Sequence, residues 1–312
     1  MSLHDSDISW QVLRGIVQEW AGTGAELAEV KPLEGGCISN TLAVTTQDGQ
    51  RAVLKISPHR VNRDYPREVY QLDLLRELGI PTPHVYACKV GSLEDPHSYI
   101  LMEYCEGIDL VEAKKQCTAD EFDALQQDLA EVLLKMHSNT SPTYAKLTGP
   151  DCERFESWPT FYRKVYDAIW HEAEREPTLP KHTRKLISKV HEKLDRLLAH
   201  DDVPRLVHWD IWATNLLARK AESSGKWKIC TVLDPNCKYA HAEAELAYMD
   251  LFHTSTPAFV KAYHAVHKPD EAYHRVRKTI YQLYPLINHF NLFGIQYVSP
   301  LTAMAERAAA LV

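Results

Sequence analysis

His208-Trp209-Asp210-Ile211-Trp212-Ala213-Thr214-Asn215 is the stretch on which the reading of this chain turns. Apolar pairs, Leu206-Val207 before it and Leu216-Leu217 after it, anchor a polar loop holding His208, Asp210 and Asn215. A carboxylate and an amide five positions apart on an anchored loop can serve phosphoryl transfer. The carboxylate orients an acceptor hydroxyl and takes its proton, while the amide oxygen is a hard ligand for Mg²⁺. Asp210 alone would read as an ordinary surface acid; the bracketed octet makes it a candidate catalytic base.

Working outward, Thr231-Val232-Leu233-Asp234-Pro235 is an apolar strand ending in an acid. A carboxylate at a strand tip suits a Mg²⁺ ligand, because that ion takes hard oxygens and few of them from protein. Asp-Pro is equally a common turn start. Upstream, Lys55 lies inside the apolar run Val53-Leu54-Lys55-Ile56. A buried ammonium is costly unless paired. Glu68, on the helix expected over Asn62–Leu78, is the natural partner, and such a pair would hold a cation over nucleotide phosphates. The alternative is a lysine that reaches solvent from an edge strand. Gly35-Gly36 precedes another strand; adjacent glycines let backbone approach phosphate closely, but the Gly-Lys-Ser/Thr ending of a Walker loop is absent.

The chain has 312 residues, 45% apolar and 25% charged, and a net charge of -7, which argues against a nucleic-acid or anionic-membrane binder. Seven irregularly spaced cysteines without a C-x-x-C pattern argue against a disulfide framework or a zinc site. The N-terminus lacks a signal-peptide pattern and no apolar run is long enough to span a membrane, so a cytoplasmic location is expected. Strand signals dominate to about residue 104. From Gly107 helical patterns take over, including the capping-box pattern Thr118-Ala119-Asp120-Glu121 ahead of Leu125, Leu129, Val132, Leu133 and Met136. Segregation of strands and helices argues for an α+β fold of two lobes, residues 1–104 and 105–312.

In order and spacing these elements resemble the protein-kinase-like phosphotransferases, and most closely the fructosamine kinase (ketosamine-3-kinase) family within the aminoglycoside and choline kinase group. That family carries His-Gly-Asp-Leu-Trp-x-x-Asn, matched by 208–215 with its distinctive Trp at Trp212. The Asp234-Pro235 start of the metal motif, followed by Tyr239, His241, Glu243 and Glu245-Leu246-Ala247, is similar too, as is the C-terminal run Tyr281–Gly294. The resemblance implies Asp210 as base, Asn215 and Asp234 as Mg²⁺ ligands, and Lys55 with Glu68 positioning ATP. It implies Glu103 and Cys105 as the adenine hinge, with Gly35, Gly36 and Cys37 in the glycine loop. It further implies transfer of the ATP γ-phosphoryl to O3 of a ketosamine, a glycated amine, whose product then breaks down and releases the amine. Some members dimerise through the glycine-loop Cys, so a monomer or homodimer is expected, with Cys37 a redox candidate or an inert small residue.

The chain departs from that pattern. Trp209 replaces the usual Gly, Glu245 the usual Asp, and Asn236 follows Asp-Pro. Trp209 would narrow the acceptor pocket, stack on substrate, or simply pack; Trp212 and Glu243 would also face substrate, Glu243 and Glu245 attracting an amine or lying at a solvated helix start. On the last long helix Ile280, Leu283, Ile287, Phe290 and Gly294 share a stripe. Asn288 and Asn291 border it and would face the cleft, whereas His289 falls off it and reads as a surface residue. Two other readings stay open: a kinase of another amino-alcohol or amino sugar, and a non-catalytic nucleotide-binding protein. A protein kinase is disfavoured by Asp-Pro-Asn in place of Asp-Phe-Gly and by the lack of Ala-Pro-Glu.

Overall fold

The computed structural model describes residues 8–33, 40–58 and 64–312. Gly35, Gly36 and Cys37 lie outside the described residues. In chain order the elements are α1 (Trp10–Ala21), β1 (Leu27–Pro32), β2 (Asn40–Thr46), β3 (Arg51–Pro58), α2 (Tyr65–Glu77), β4 (Val85–Lys89) and β5 (His97–Glu103). Then come β6 (Ile108–Asp109), α3 (Leu110–Gln116), α4 (Ala119–His137), β7 (Tyr144–Lys146), β8 (Arg154–Phe155), α5 (Trp158–Ala173), α6 (Lys181–His191) and α7 (Leu194–Leu197). The chain continues with β9 (Arg205–Val207), β10 (Leu216–Lys220), β11 (Trp227–Val232), β12 (Lys238–Ala240), α8 (Ala242–Leu251), α9 (Pro257–His264), a π-turn (Tyr273–Arg277), α10 (Lys278–Phe293), a 3₁₀ turn (Gly294–Tyr297) and α11 (Val298–Ala309).

Strands β1–β5 form one antiparallel sheet in the order β1-β2-β3-β5-β4. Its two faces separate by the period of two that strands impose. Leu54, Ile56, Tyr99 and Leu101 pack with Leu13, Ile16 and Val17 of α1. Ile100 and Met102 face the other way, onto Tyr65 and Leu72 of α2. Lys55 alternates with Leu54 and Ile56, so the pleat that buries those two aims Lys55 at α2. Helix α2 ends as its sequence predicts. Gly79 adopts φ +70, its N–H bonding to Arg76 while the Ile80 N–H bonds to Leu75, which satisfies two end carbonyls.

The remainder is a helical body with one large core. The capping box of α4 forms, with Thr118 and Glu121 bonding reciprocally, and Leu125, Leu129, Leu133 and Met136 are fully buried at helical spacing. The helical body also holds two small sheets, ordered β11-β10-β6 and β8-β7-β12-β9; β9, β10 and β11 fall where strand signals are read, at about 203–235, whereas β6, β7, β8 and β12 lie outside that stretch. Those four have only two or three residues each, too few to leave a readable period, and the strands of both sheets frame the site. They hold the two chemical loops: 208–215 runs from β9 to β10, and 233–237 from β11 to β12. Among the described residues no helix is long and apolar enough to cross a membrane.

Candidate active site

Leu206, Val207, Ile211 and Leu216 are all fully buried, so the loop between them is fixed at both ends. It is also tied to its neighbour. The Leu233 N–H bonds to the Asn215 carbonyl (2.8 Å) and the Asn236 N–H to the His208 carbonyl (3.0 Å). Within the loop, Asn215 Nδ2 donates to Asp210 Oδ2 (3.2 Å) and to the Asp210 carbonyl (3.0 Å). Tyr248, from α8, donates its hydroxyl to Asp210 Oδ1. Both carboxylate oxygens are therefore held. Burial pushes the Asp210 pKa up to about 6, against the lowering effect of the Tyr248 bond.

Asp234 sits at φ +55, a left-handed position reached by few non-glycine residues, which turns its carboxylate toward Lys55. Lys55 also pairs with Glu68 at 2.7 Å. Burial alone would lower the Lys55 pKa, but the two carboxylates outweigh it and hold the ammonium above its usual range. Burial raises Glu68. These residues share a cavity of about 670 Å³ with Asp210 and Asn215.

Trp209, Trp212 and Asn288 line the same cavity. Trp209 adopts φ +70 and is 9% exposed. That backbone favours glycine, and an indole there implies strain held by its surroundings. The restraints are visible. The Trp209 backbone N–H bonds to Glu245 Oε1, Lys238 Nζ lies 4.4 Å from the ring centroid, and Tyr284 packs edge-on at 5.6 Å. Replacing Trp209 by Gly relieves strain of about 1–3 kcal/mol but loses a buried aromatic worth about 3–5 kcal/mol. The net expectation is a loss of about 1–3 kcal/mol, read from the urea midpoint; a stabilised variant would show that strain dominates.

Several expectations are corrected. Glu243 faces away from the cavity, in a bidentate pair with Arg277 at 2.7 Å for each bond, because α8 turns it toward the π-turn. Glu245 does border the cavity, but it is buried, with its oxygens spent on the Trp209 N–H and on His137 Nε2 at 2.8 Å. Asn291 donates to the Ile169 carbonyl of α5 at 2.8 Å, away from the cleft. His289, read as a surface residue, lines the cavity and stacks on Phe252 at 4.8 Å, since the end of α8 and the 3₁₀ turn fold over that side of α10. Glu103 ends β5 and Cys105 follows it; neither lines this cavity, and their hinge role stays a proposal. Tyr248 went unread. The signal available was its position three residues after Glu245, which puts both on one helix face; Glu245 meets Trp209 and Tyr248 meets Asp210, neighbours in the loop.

An antiparallel sheet with one charged helix, joined to a helical body whose loops present Asp, Asn and Asp around a paired lysine, defines a protein-kinase-like phosphotransferase acting on a hydroxyl group. The fructosamine kinase family model matches residues 9–310, and the chain belongs to that family. The chloroplastic protein-ribulosamine 3-kinase of Arabidopsis thaliana is 25% identical over 314 residues, covering 93% of this chain and 86% of that one. Among solved structures, a candidate fructosamine-3-kinase from Thermobifida fusca superposes with a TM-score of 0.73 at 24% identity, covering 97% of this chain and all of that one. Aminoglycoside phosphotransferase APH(4)-Ia, in complex with ADP and hygromycin B, gives 0.69 at 15% identity, covering 96% and 98%. These likenesses carry the α+β fold.

Proposed function

We propose that this chain transfers the γ-phosphoryl group of ATP to a sugar hydroxyl of a ketosamine, free or protein-bound, with Asp210 as the base. The observation that carries the reading is the placement of Asp210, held by Tyr248 and Asn215, in one cavity with the Lys55–Glu68–Asp234 cluster. The acceptor hydroxyl gives its proton to Asp210 as its oxygen bonds to the γ-phosphorus; the bond from that phosphorus to the β–γ bridging oxygen breaks, and ADP leaves. Lys55, fixed by Glu68, would hold the nonbridging oxygens of the nucleotide. The names of the relatives, a ribulosamine kinase among them, favour a ketosamine over other amino-alcohols.

The donors fit Mg²⁺. Asn215 spends its Nδ2 on Asp210 and leaves Oδ1 for a cation, and Asp234 offers a hard carboxylate nearby. Among the described residues there is no cluster of three or more His, Cys, Asp or Glu, so two protein oxygens would share the ion with phosphate. Bound there, Mg²⁺ neutralises charge on the transferring phosphoryl. The hinge at Glu103 and Cys105, the glycine loop with Gly35 and Gly36, and the lobe boundary at 104/105 belong to this same proposal, as does a cytoplasmic location.

Purified protein with Mg-ATP would be offered fructosyl-lysine, ribosyl-lysine, amino sugars, choline and aminoglycosides, scoring ADP release. Turnover confined to the ketosamines is expected; no turnover together with no ATP binding overturns the reading. The pH profile adds a check. Protonated Asp210 cannot accept a proton, so kcat/KM for the acceptor falls toward acid. Its limb is expected at pH 6 or below in the MgATP-loaded enzyme, because the metal's charge opposes the effect of burial. A limb above pH 7 would contradict the assignment.

A further inference from the structure

The cavity is chemically lopsided. Its charged lining comes from β3, from α2 with the residue before it, and from the two loops at 208–215 and 234–236. The remaining wall, built by α8 and the residue after it, by α10 and by the 3₁₀ turn, carries no charged side chain except Glu245, whose oxygens are already bonded. A ladder of rings takes its place. Tyr248, bonded to Asp210, packs on Phe252 at 4.7 Å. Phe252 stacks on His289 at 4.8 Å, and His289 meets Tyr297 at 5.0 Å and Phe293 at 5.5 Å. All five line the cavity. Burial lowers the His289 pKa, outweighing the raising effect of the bond from Nδ1 to the Pro285 carbonyl, so this rung is neutral as well. The ladder exists because Gly294 takes φ +71 and turns the chain, returning Tyr297 onto His289. Leu292, 51% exposed, also lines the cavity.

We propose that this ring wall is a subsite for the amine-derived arm of the ketosamine, and that it selects glycated amines bearing an extended apolar alkyl or aryl group over short or charged ones. The inference rests on the ketosamine reading. In such an acceptor the amine is attached two carbons from the reacting O3. Whatever the nitrogen carries therefore starts beside Asp210 and Tyr248, where the ladder begins. A polycationic acceptor would need free carboxylates along this wall, and the described residues there offer none. An apolar arm loses nothing in leaving water and gains ring contacts.

The test uses three fructose adducts that share one sugar and differ in the amine: glycine, 1,4-diaminobutane and phenethylamine. With MgATP, kcat/KM for the phenethylamine adduct is expected to exceed that for the glycine adduct by about tenfold or more, the scale set by apolar groups in a pocket. Most of the difference should appear in KM, since the arm binds equally in the ground and transition states. Phe293→Ala and Phe252→Ala should pull that ratio toward one. Phe293→Leu, which keeps apolar volume and so spares the fold, should do so in part. Equal kcat/KM for all three adducts, or variants that leave the ratio unchanged, overturns the subsite. A preference for the diaminobutane adduct overturns it in favour of a cation-binding ring cage. Turnover of none of the adducts overturns the ketosamine reading and this inference with it, a result distinct from turnover without preference.

Discussion

Asp210→Asn is expected to lower kcat by about 10²–10⁴-fold while leaving the fold intact. The argument lies in the bonds at the carboxylate. Oδ1 accepts from Tyr248 and Oδ2 from Asn215, so both neighbours are donors. An asparagine has one oxygen and one NH₂; its oxygen can accept from Asn215 while its NH₂ donates to the Tyr248 hydroxyl, which accepts as readily as it donates. The side chain therefore keeps its place and loses its capacity to take a proton. Stability should move the other way or hardly at all. The folded protein raises the Asp210 pKa to about 6, so above that pH the ionised carboxylate is a cost to the fold that the amide does not carry. A collapsed rate with an unchanged or raised urea midpoint is the expected pair of results. Activity within tenfold of wild type would remove Asp210 from the role of base.

Lys55→Met carries the second large effect, on stability and nucleotide affinity together. Lys55 is the cation between Glu68 and Asp234, and its side chain and that of Glu68 are only 12% and 17% exposed. Removing one partner of a buried pair costs about 3–5 kcal/mol, because the remaining charge is left desolvated. The pH dependence has a definite sign. Without Lys55, burial and Asp234 hold the Glu68 pKa above its unfolded value, so ionised Glu68 destabilises the fold at neutral and higher pH. That penalty disappears as the pH falls and Glu68 takes up a proton. The gap between variant and wild type should therefore narrow from pH 8 to pH 5 in thermal unfolding. Adding Glu68→Gln should recover part of the loss, since the uncompensated charge is gone. ATP binding should stay weak in both variants. A Lys55→Met protein that is as stable as wild type and binds ATP equally well would break the assignment.

What could be read along the chain was whatever its own period or local bonding sets. The pleat that buries Leu54 and Ile56 dictates that Lys55 faces α2, and Glu68 lies one helix away. The bracketed loop at 208–215 likewise carries its own anchors, and the Asp210–Asn215 bond spans only five positions. The helix ends at Gly79 and Thr118 followed from backbone chemistry that is local. The short strands β6, β7, β8 and β12 were illegible, because two or three residues show no period, and β6 and β12 pair with strands far away in sequence.

The sequence by itself determined the fold class, the family resemblance and the residue types around the candidate catalytic loop. Only the tertiary structure decided which neighbours of those residues face the cavity. Glu243 and Glu245 are two positions apart, yet one binds Arg277 and the other binds the Trp209 N–H. His289 changed from a surface residue to a cavity wall once Phe252 and Tyr297 covered it. Trp209 is held at a glycine-like backbone angle by Glu245, Lys238 and Tyr284, which arrive from three separate elements. The physical reason is common to these cases. A side chain's orientation and charge state follow from the groups packed against it, and contacts between distant segments leave no periodic trace in the order of residues.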